Sequence, residues 1–171
     1  MRATVTSAPT NSEQSRPSHR EAAPARSAAR LAAVQALYQM EKTNIGVEAA
    51  IREFQDFRLG GDLDGAQLHK ADARFFADIL RGAVENQARL DGFLERQLAE
   101  GWKLSRIDSI ARAILRAGLY ELAQRADVPY KVVIDEYIEI AQSFFEGDEP
   151  KFINGVLDAA SRAARADERA T

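Results

Sequence analysis

The 171-residue sequence contains no cysteine and only two histidines, and these absences remove several kinds of functional site. Without cysteine the chain has no disulfide and no thiolate-bound zinc, a composition that fits a reducing cytoplasm. No apolar run approaches the roughly 18 residues that a membrane span requires. The first 25 residues also lack the continuous apolar core of a secretory signal. We therefore expect a cytoplasmic protein with no membrane-spanning segment.

The residue types that usually carry catalysis are scattered rather than clustered. His19 and His69 lie far apart in sequence, and neither has a second histidine or a convincing carboxylate pair beside it. Glu136 and Glu139 could share a helix face, but a di-metal bundle needs Glu-x-x-His motifs on partner helices, and the chain has none. We interpret these two glutamates as solvated charges. The sequence therefore predicts no catalytic residue, no metal site and no cofactor, and it favours a binding protein over an enzyme.

Charge is distributed unevenly along the chain. Residues 1–30 carry five arginines and two glutamates, a net charge of +3, so the remaining 141 residues carry −6 of the total of −3. Basic arms of this kind often contact phosphates, although they are also typical of solvated termini. The segment 1–24 contains three prolines among Ser, Thr and Asn, which predicts a disordered basic tail.

Beyond the tail, apolar residues recur at three- and four-residue steps, and no alternating strand pattern persists. This periodicity predicts an all-α fold of about seven helices with short connections, the first beginning near Ala25 and the last fraying over residues 166–171. A bend or break is expected near residues 87–91. Ser105 or Asp108 is a candidate N-cap, and Gly118 within the next helix indicates a close helix crossing. Asp127 is a candidate cap before Pro129, and Trp102 is interpreted as a hydrophobic lid on the core.

Four segments, in this order and at these separations, resemble the bacterial transcription antitermination factor family NusB. The similarity runs from about residue 25 to residue 162. The segments are residues 33–38 (AVQALY), 114–122 (ILRAGLYEL), 127–136 (DVPYKVVIDE) and 151–158 (KFINGVLD).

The resemblance implies an all-helical domain over residues 25–165, built as two packed helical bundles of about residues 25–100 and 101–165. NusB proteins bind the boxA element of ribosomal RNA transcripts as a heterodimer with the ribosomal protein NusE. They act within an RNA polymerase antitermination complex, without catalysis or a cofactor. Some members form homodimers, so the resemblance also leaves a homodimer of this chain as an alternative.

The resemblance also implies site residues. In the family an arginine-rich motif at the start of the first helix and the beginning of the last helix contact RNA. The RNA-binding candidates here are Arg26, Arg30, Asp148, Lys151 and Phe152. The candidates for contact with the partner protein are Tyr38, Arg112 and Arg116. The sequence departs from the family at Tyr137, where many members have alanine.

The sequence leaves two alternative functions open. NusB-like domains also precede ribosomal RNA cytosine methyltransferases, but this chain has no strand-rich cofactor domain and no cysteine nucleophile. A helical adaptor without a role in RNA binding is the third interpretation. We expect a free-standing RNA-binding factor.

Overall fold

The computed structural model describes residues 19–57 and 72–171, and within the first helix it describes side chains from residue 23 onward. Every regular element in these ranges is helical, so the prediction of an all-α fold is confirmed. Eight α-helices and one 3₁₀ turn (Leu104–Arg106) follow one another without a strand in the described ranges. The helices are α1 (His19–Thr43), α2 (Val47–Phe57), α3 (Ala73–Glu85), α4 (Gln87–Gln97), α5 (Ser109–Gln124), α6 (Tyr130–Phe144), α7 (Glu149–Ala164) and α8 (Ala166–Arg169).

The two ends of the helical domain differ from the sequence prediction. Helix α1 begins at His19, before the expected start near Ala25, and it contains Pro24. Because Pro24 lies near the N-terminus of a helix rich in alanine, the single backbone bond that it removes is tolerated. The frayed C-terminus predicted at residues 166–171 is replaced by α8. The rest of the predicted tail, residues 1–18, lies outside the described residues.

The predicted bend in the long helical region falls at Asn86, just before the expected range. Asn86 ends α3 and precedes α4, and its side-chain amide donates to the Gly82 carbonyl at 2.8 Å. Gly82 itself does not cause the bend, because it lies against the Tyr120 ring of α5. A Cβ at position 82 would be 1.9 Å from Tyr120 Cζ. This glycine is therefore required for close packing of α3 on α5.

Helix α5 is the central element, since it packs against α1, α3, α4, α6 and α7. Asp108 caps its N-terminus by accepting from the Ile110 and Ala111 amides, which confirms one of the two candidate caps. The close crossing expected at Gly118 is also confirmed. A Cβ there would lie 3.0 Å from Leu157 Cδ2 of α7. The division into bundles at residues 100 and 101 stays a prediction.

The join between α5 and α6 is held by the C-terminal segment. Asp127 does not cap α6, because both of its carboxylate oxygens accept from Arg125 at 2.9 Å. Glu168 of α8 takes that role, accepting from the Tyr130 amide at 2.9 Å. Arg165, only 6 % exposed, donates to backbone carbonyls of α5 and of the join. The C-terminal residues thus terminate α5 and start α6.

The core contains mainly aliphatic residues and the stacked pair Phe54 and Phe76, whose ring centroids are 5.6 Å apart. Trp102 is not the predicted lid on this core. It lies between α4 and α5 and is 57 % exposed, the most exposed of the large hydrophobic side chains that the structure describes.

Candidate nucleic-acid and partner interface

Arg30, a predicted RNA contact, is buried and bound within the protein. It is 2 % exposed, and its guanidinium donates to Glu121 through Nη2 at 2.6 Å and through Nε at 3.0 and 3.1 Å. Glu121 is fully buried and also accepts from the Tyr137 hydroxyl at 2.8 Å. In this structure the Arg30 guanidinium is therefore occupied by Glu121 inside the domain and is not presented at the surface for a phosphate.

The surroundings of this buried cluster fix the protonation states of its members. Burial disfavours the charged form of Arg30, but the hydrogen bonds and the negative charge of Glu121 outweigh that effect and raise the pKa of Arg30. Burial raises the pKa of Tyr137 well above its ordinary value, and the adjacent Glu121 carboxylate acts in the same direction. The tyrosine therefore stays protonated and serves as a hydrogen-bond donor to the carboxylate.

A second contact fixes the same part of α1 to α6. The Ser27 hydroxyl donates to Glu136 Oε1 at 2.7 Å, and Arg30 Nη1 lies 3.5 Å from the same oxygen. The side chain of Glu136 is 21 % exposed. It is therefore not the solvated charge that the sequence suggested, but part of the attachment between α1 and α6.

Arg26 lies one turn before Arg30 and reaches the surface. Its side chain is 35 % exposed, and its guanidinium carbon lies 4.7 Å from the centroid of the Phe75 ring. The carboxylates of Asp72 and Asp127 are each 3.9 Å away. Arg26 is thus oriented by an aromatic face and two nearby negative charges, and part of its side chain stays accessible to a phosphate.

The start of α7 presents the other RNA-binding candidates on the surface. Asp148, Lys151 and Phe152 are all exposed. Phe152 is 36 % exposed, whereas Ile153 and Val156 on the same helix are buried. The Asp148 side chain makes no capping hydrogen bond. The structure therefore offers an accessible aromatic ring beside a lysine, the pair of side chains that can stack on a base and contact a phosphate.

Tyr38, a candidate for partner contact, lines an open groove between α1, α5 and α6. It is 37 % exposed, and Phe144 across the groove is 42 % exposed. Lys42 and Ile110 also line this groove of about 430 Å³. Exposed aromatic side chains of this kind favour a protein contact, so the role of Tyr38 stays a prediction.

Arg112 and Arg116, the other candidates for partner contact, form ion pairs within the chain. Arg112, whose side chain is 12 % exposed, donates to Glu41 and to the Ile107 carbonyl. Arg116, 14 % exposed, donates to both carboxylate oxygens of Asp91 at 2.8 and 2.9 Å. These guanidinium groups connect α5 to α1 and α4, and their role in partner binding stays a prediction.

Sequence reasoning missed Glu121 and Phe75. Glu121 falls at helical spacing from Ile114 and Gly118, on the apolar face of α5, and a charge on such a face signals a buried partner. That signal was present in the sequence. No sequence pattern identified the partner as Arg30, because the two residues belong to different helices far apart in the chain.

The described residues contain neither a metal-binding cluster nor a membrane-spanning helix. Among residues 19–57 and 72–171, no group of three or more His, Asp or Glu side chains is placed to hold a metal ion. In the same described part of the chain, no helix combines the length and apolar character needed to cross a bilayer.

The sequence and the fold match one family. The model of the NusB family matches residues 27–162. The chain is 59 % identical over 140 residues to the transcription antitermination protein NusB of Caulobacter vibrioides, covering 82 % of this chain and 94 % of that one. It is 52 % identical over 144 residues to the NusB of Mesorhizobium japonicum, with 84 % and 93 % covered.

Solved structures agree with this assignment. The T. maritima NusB structure aligns with a TM-score of 0.70 and 32 % identity, covering 85 % of this chain and 97 % of that one. A structure of antitermination factors NusB and NusE in complex with dsRNA aligns with a TM-score of 0.66 over 82 % of this chain and 98 % of that one. At 21 % identity this second likeness supports the fold alone. The family model and the curated relatives together show that the chain belongs to the NusB family.

Proposed function

We propose that this protein is an RNA-binding transcription antitermination factor that recognises the boxA element of ribosomal RNA transcripts together with ribosomal protein NusE. The observation that carries the proposal is family membership across residues 27–162, with relatives named as transcription antitermination proteins at up to 59 % identity. The pair would act in the cytoplasm as part of an RNA polymerase antitermination complex. Its role is binding rather than catalysis.

The RNA-binding surface that we propose contains Arg26, Lys151 and Phe152, with Asp148 at its edge. Arg26 and Lys151 supply positive charge for phosphates, and Phe152 supplies an aromatic face for a base. Arg30 is removed from the proposed surface because its guanidinium is buried against Glu121. The smaller number of basic contacts predicts a modest affinity for RNA and a shallow salt dependence for the isolated chain.

The electrostatics of the chain support the need for a basic partner. Residues 31–171 carry a net charge of −6. The join before α7 contains Glu146 and Asp148, and Glu149 lies with Lys151 in the first turn of α7. These carboxylates repel a phosphate backbone. We propose that NusE supplies much of the attraction for RNA, and that it contacts the groove beside Tyr38 and Phe144.

Fluorescence anisotropy with a labelled boxA RNA and a scrambled RNA of equal length tests this function. The titration is performed with the chain alone, with NusE alone and with the pair, at several salt concentrations. We expect the pair to bind boxA more tightly than either protein does, and to prefer boxA over the scrambled RNA. Solution mass with and without NusE distinguishes a heterodimer from a homodimer. If the chain binds neither RNA nor NusE, the proposal is refuted and the helical adaptor is the interpretation that stands.

A further inference from the structure

The N-terminal half of α1 has little apolar surface with which to hold its position. Its residues that lie against the core are mainly small, Ala29 and, at its end, Ala32 and Ala33, and the larger Leu31 is only partly buried. Burial of a methyl group contributes far less than burial of a leucine or phenylalanine side chain. The position and rotation of this segment therefore depend on its polar contacts with α5 and α6.

Those polar contacts form a continuous path from the core to the surface. Glu121, fully buried on α5, holds the Arg30 guanidinium with three hydrogen bonds and is itself held by Tyr137. The guanidinium carbon of Arg30 lies 4.9 Å from the centroid of the Phe75 ring. The guanidinium carbon of Arg26 lies 4.7 Å from the same centroid. Phe75 is 2 % exposed, and the guanidinium carbon of Arg125 also lies 4.9 Å from its centroid, so three arginines surround a buried ring.

We infer that Glu121 is a positioning residue for RNA binding: through Arg30 and Phe75 it fixes the direction in which Arg26 leaves the surface. This inference rests on the proposed function, since it gives Arg26 a phosphate as its ligand. Glu121 is fully buried and cannot touch RNA, so its influence on RNA binding is indirect, through α1 and the Phe75 ring of α3. A forked contact between a guanidinium and a carboxylate restricts orientation as well as distance, which suits it to this role.

The position of Tyr137 strengthens the inference. Tyr137 is fully buried. Its hydroxyl donates to Glu121 Oε2, the same oxygen that accepts from Arg30 Nε at 3.0 Å. The additional donor orients the carboxylate, because an oxygen with two fixed donors has little rotational freedom. An alanine at this position would leave that donor absent.

A double-mutant cycle between Glu121 and Arg26 tests the inference. The variants Glu121→Gln, Arg26→Ala and their combination are compared with the wild-type full-length chain, each mixed with NusE and titrated onto boxA RNA. We expect Glu121→Gln to weaken RNA binding by at least about threefold in the wild-type background, a coupling normal for linked residues. In the Arg26→Ala background the same substitution should leave RNA binding nearly unchanged. Hydrogen exchange should become faster for the α1 amides of residues 25–30.

Control variants separate positioning from simple loss of stability. Ser161→Ala removes a buried hydroxyl that bonds Arg169 at the far end of α7, and it should lower stability without changing the affinity for RNA. Tyr137→Phe is the second test variant, used because Glu121→Gln leaves Arg30 with only the more distant Glu136 carboxylate as a charged partner and can prevent folding. It should show the same dependence on Arg26 with a smaller effect.

Each outcome decides between the proposals. Equal loss of RNA affinity in both backgrounds, or a folded Glu121→Gln variant that binds RNA as tightly as the wild type, overturns the positioning role. If Glu121→Gln does not fold, the same criteria apply to Tyr137→Phe. If the wild-type pair binds boxA but Arg26→Ala has no effect, the positioning role fails while the proposed function stands. If the wild-type pair does not bind boxA, both fail.

Discussion

Replacing Arg165 by alanine should destabilise the domain strongly, although the residue lies near the C-terminus. Its side chain is 6 % exposed. It donates to the carbonyls of Leu122 at 2.7 Å, Val128 at 2.9 Å and Arg125 at 2.7 Å. It also donates to Glu168 at 2.6 Å. The last carbonyls of a helix have no partner within the helix, and Arg165 supplies donors for those at the end of α5.

The expected loss follows from the groups left without a donor. A buried carbonyl that loses its donor costs about 1–3 kcal/mol. The Leu122 and Val128 carbonyls lose Arg165 as their donor, whereas the Arg125 carbonyl keeps the Val128 amide at 3.1 Å. Water that enters the vacated space can donate to these carbonyls and restores part of the lost stability. We therefore expect the free energy of unfolding to fall by about 3–5 kcal/mol. For a domain of this size, such a loss lowers Tm by at least about 6 °C.

Urea and thermal unfolding followed by circular dichroism measure the effect. Arg162→Ala is the matched control, because Arg162 lies on the same helix but its side chain is 65 % exposed and pairs only with Asp158. That substitution should change stability by about 0.5 kcal/mol or less. Arg165→Lys should lie between the two, since lysine keeps the charge but loses the planar fork. A loss below about 1 kcal/mol for Arg165→Ala, equal to that of the control, would refute the reasoning.

Three further predictions concern other parts of the domain. Gly82→Ala should destabilise by about 1–3 kcal/mol because its Cβ would overlap the Tyr120 ring, whereas Gly92→Ala, whose nearest neighbour would be 3.8 Å away, should be neutral or stabilising in urea unfolding. Burial and the hydrogen bond to Asp78 raise the pKa of Tyr120 from 10.0 to about 12. The protonated tyrosine therefore stabilises the folded state, and this stabilisation is complete below pH 10 and is lost as the pH rises through 12. Stability should therefore fall more steeply with pH over this range in the wild type than in Tyr120→Phe, and parallel curves would contradict this. Lys151→Gln should weaken binding of the NusE pair to boxA and to scrambled RNA alike and reduce the salt slope by about 0.7; an unchanged slope would exclude a phosphate contact.

The candidate site was only partly predictable from the sequence. Lys151 and Phe152 were placed correctly at the start of a helix, because a proline and acidic residues mark that start locally. Arg26 and Arg30 looked equivalent, since residues four apart share a helix face. Only the packing of α1 against α5 separates them, because it buries Arg30 against Glu121 and leaves Arg26 at the surface.

The sequence by itself determined the features that depend on neighbouring residues. Helical periodicity defined the all-α fold, Asp108 marked the start of α5, and the cost of Gly118 within a helix indicated a close crossing. Tertiary structure decided what depends on residues distant in the chain, such as the burial of Arg30 and the attachment of Arg165 to the end of α5. A charged side chain has the same local pattern whether it meets solvent or a buried partner. Its role is settled only when the helices pack and either exclude water from it or leave it exposed.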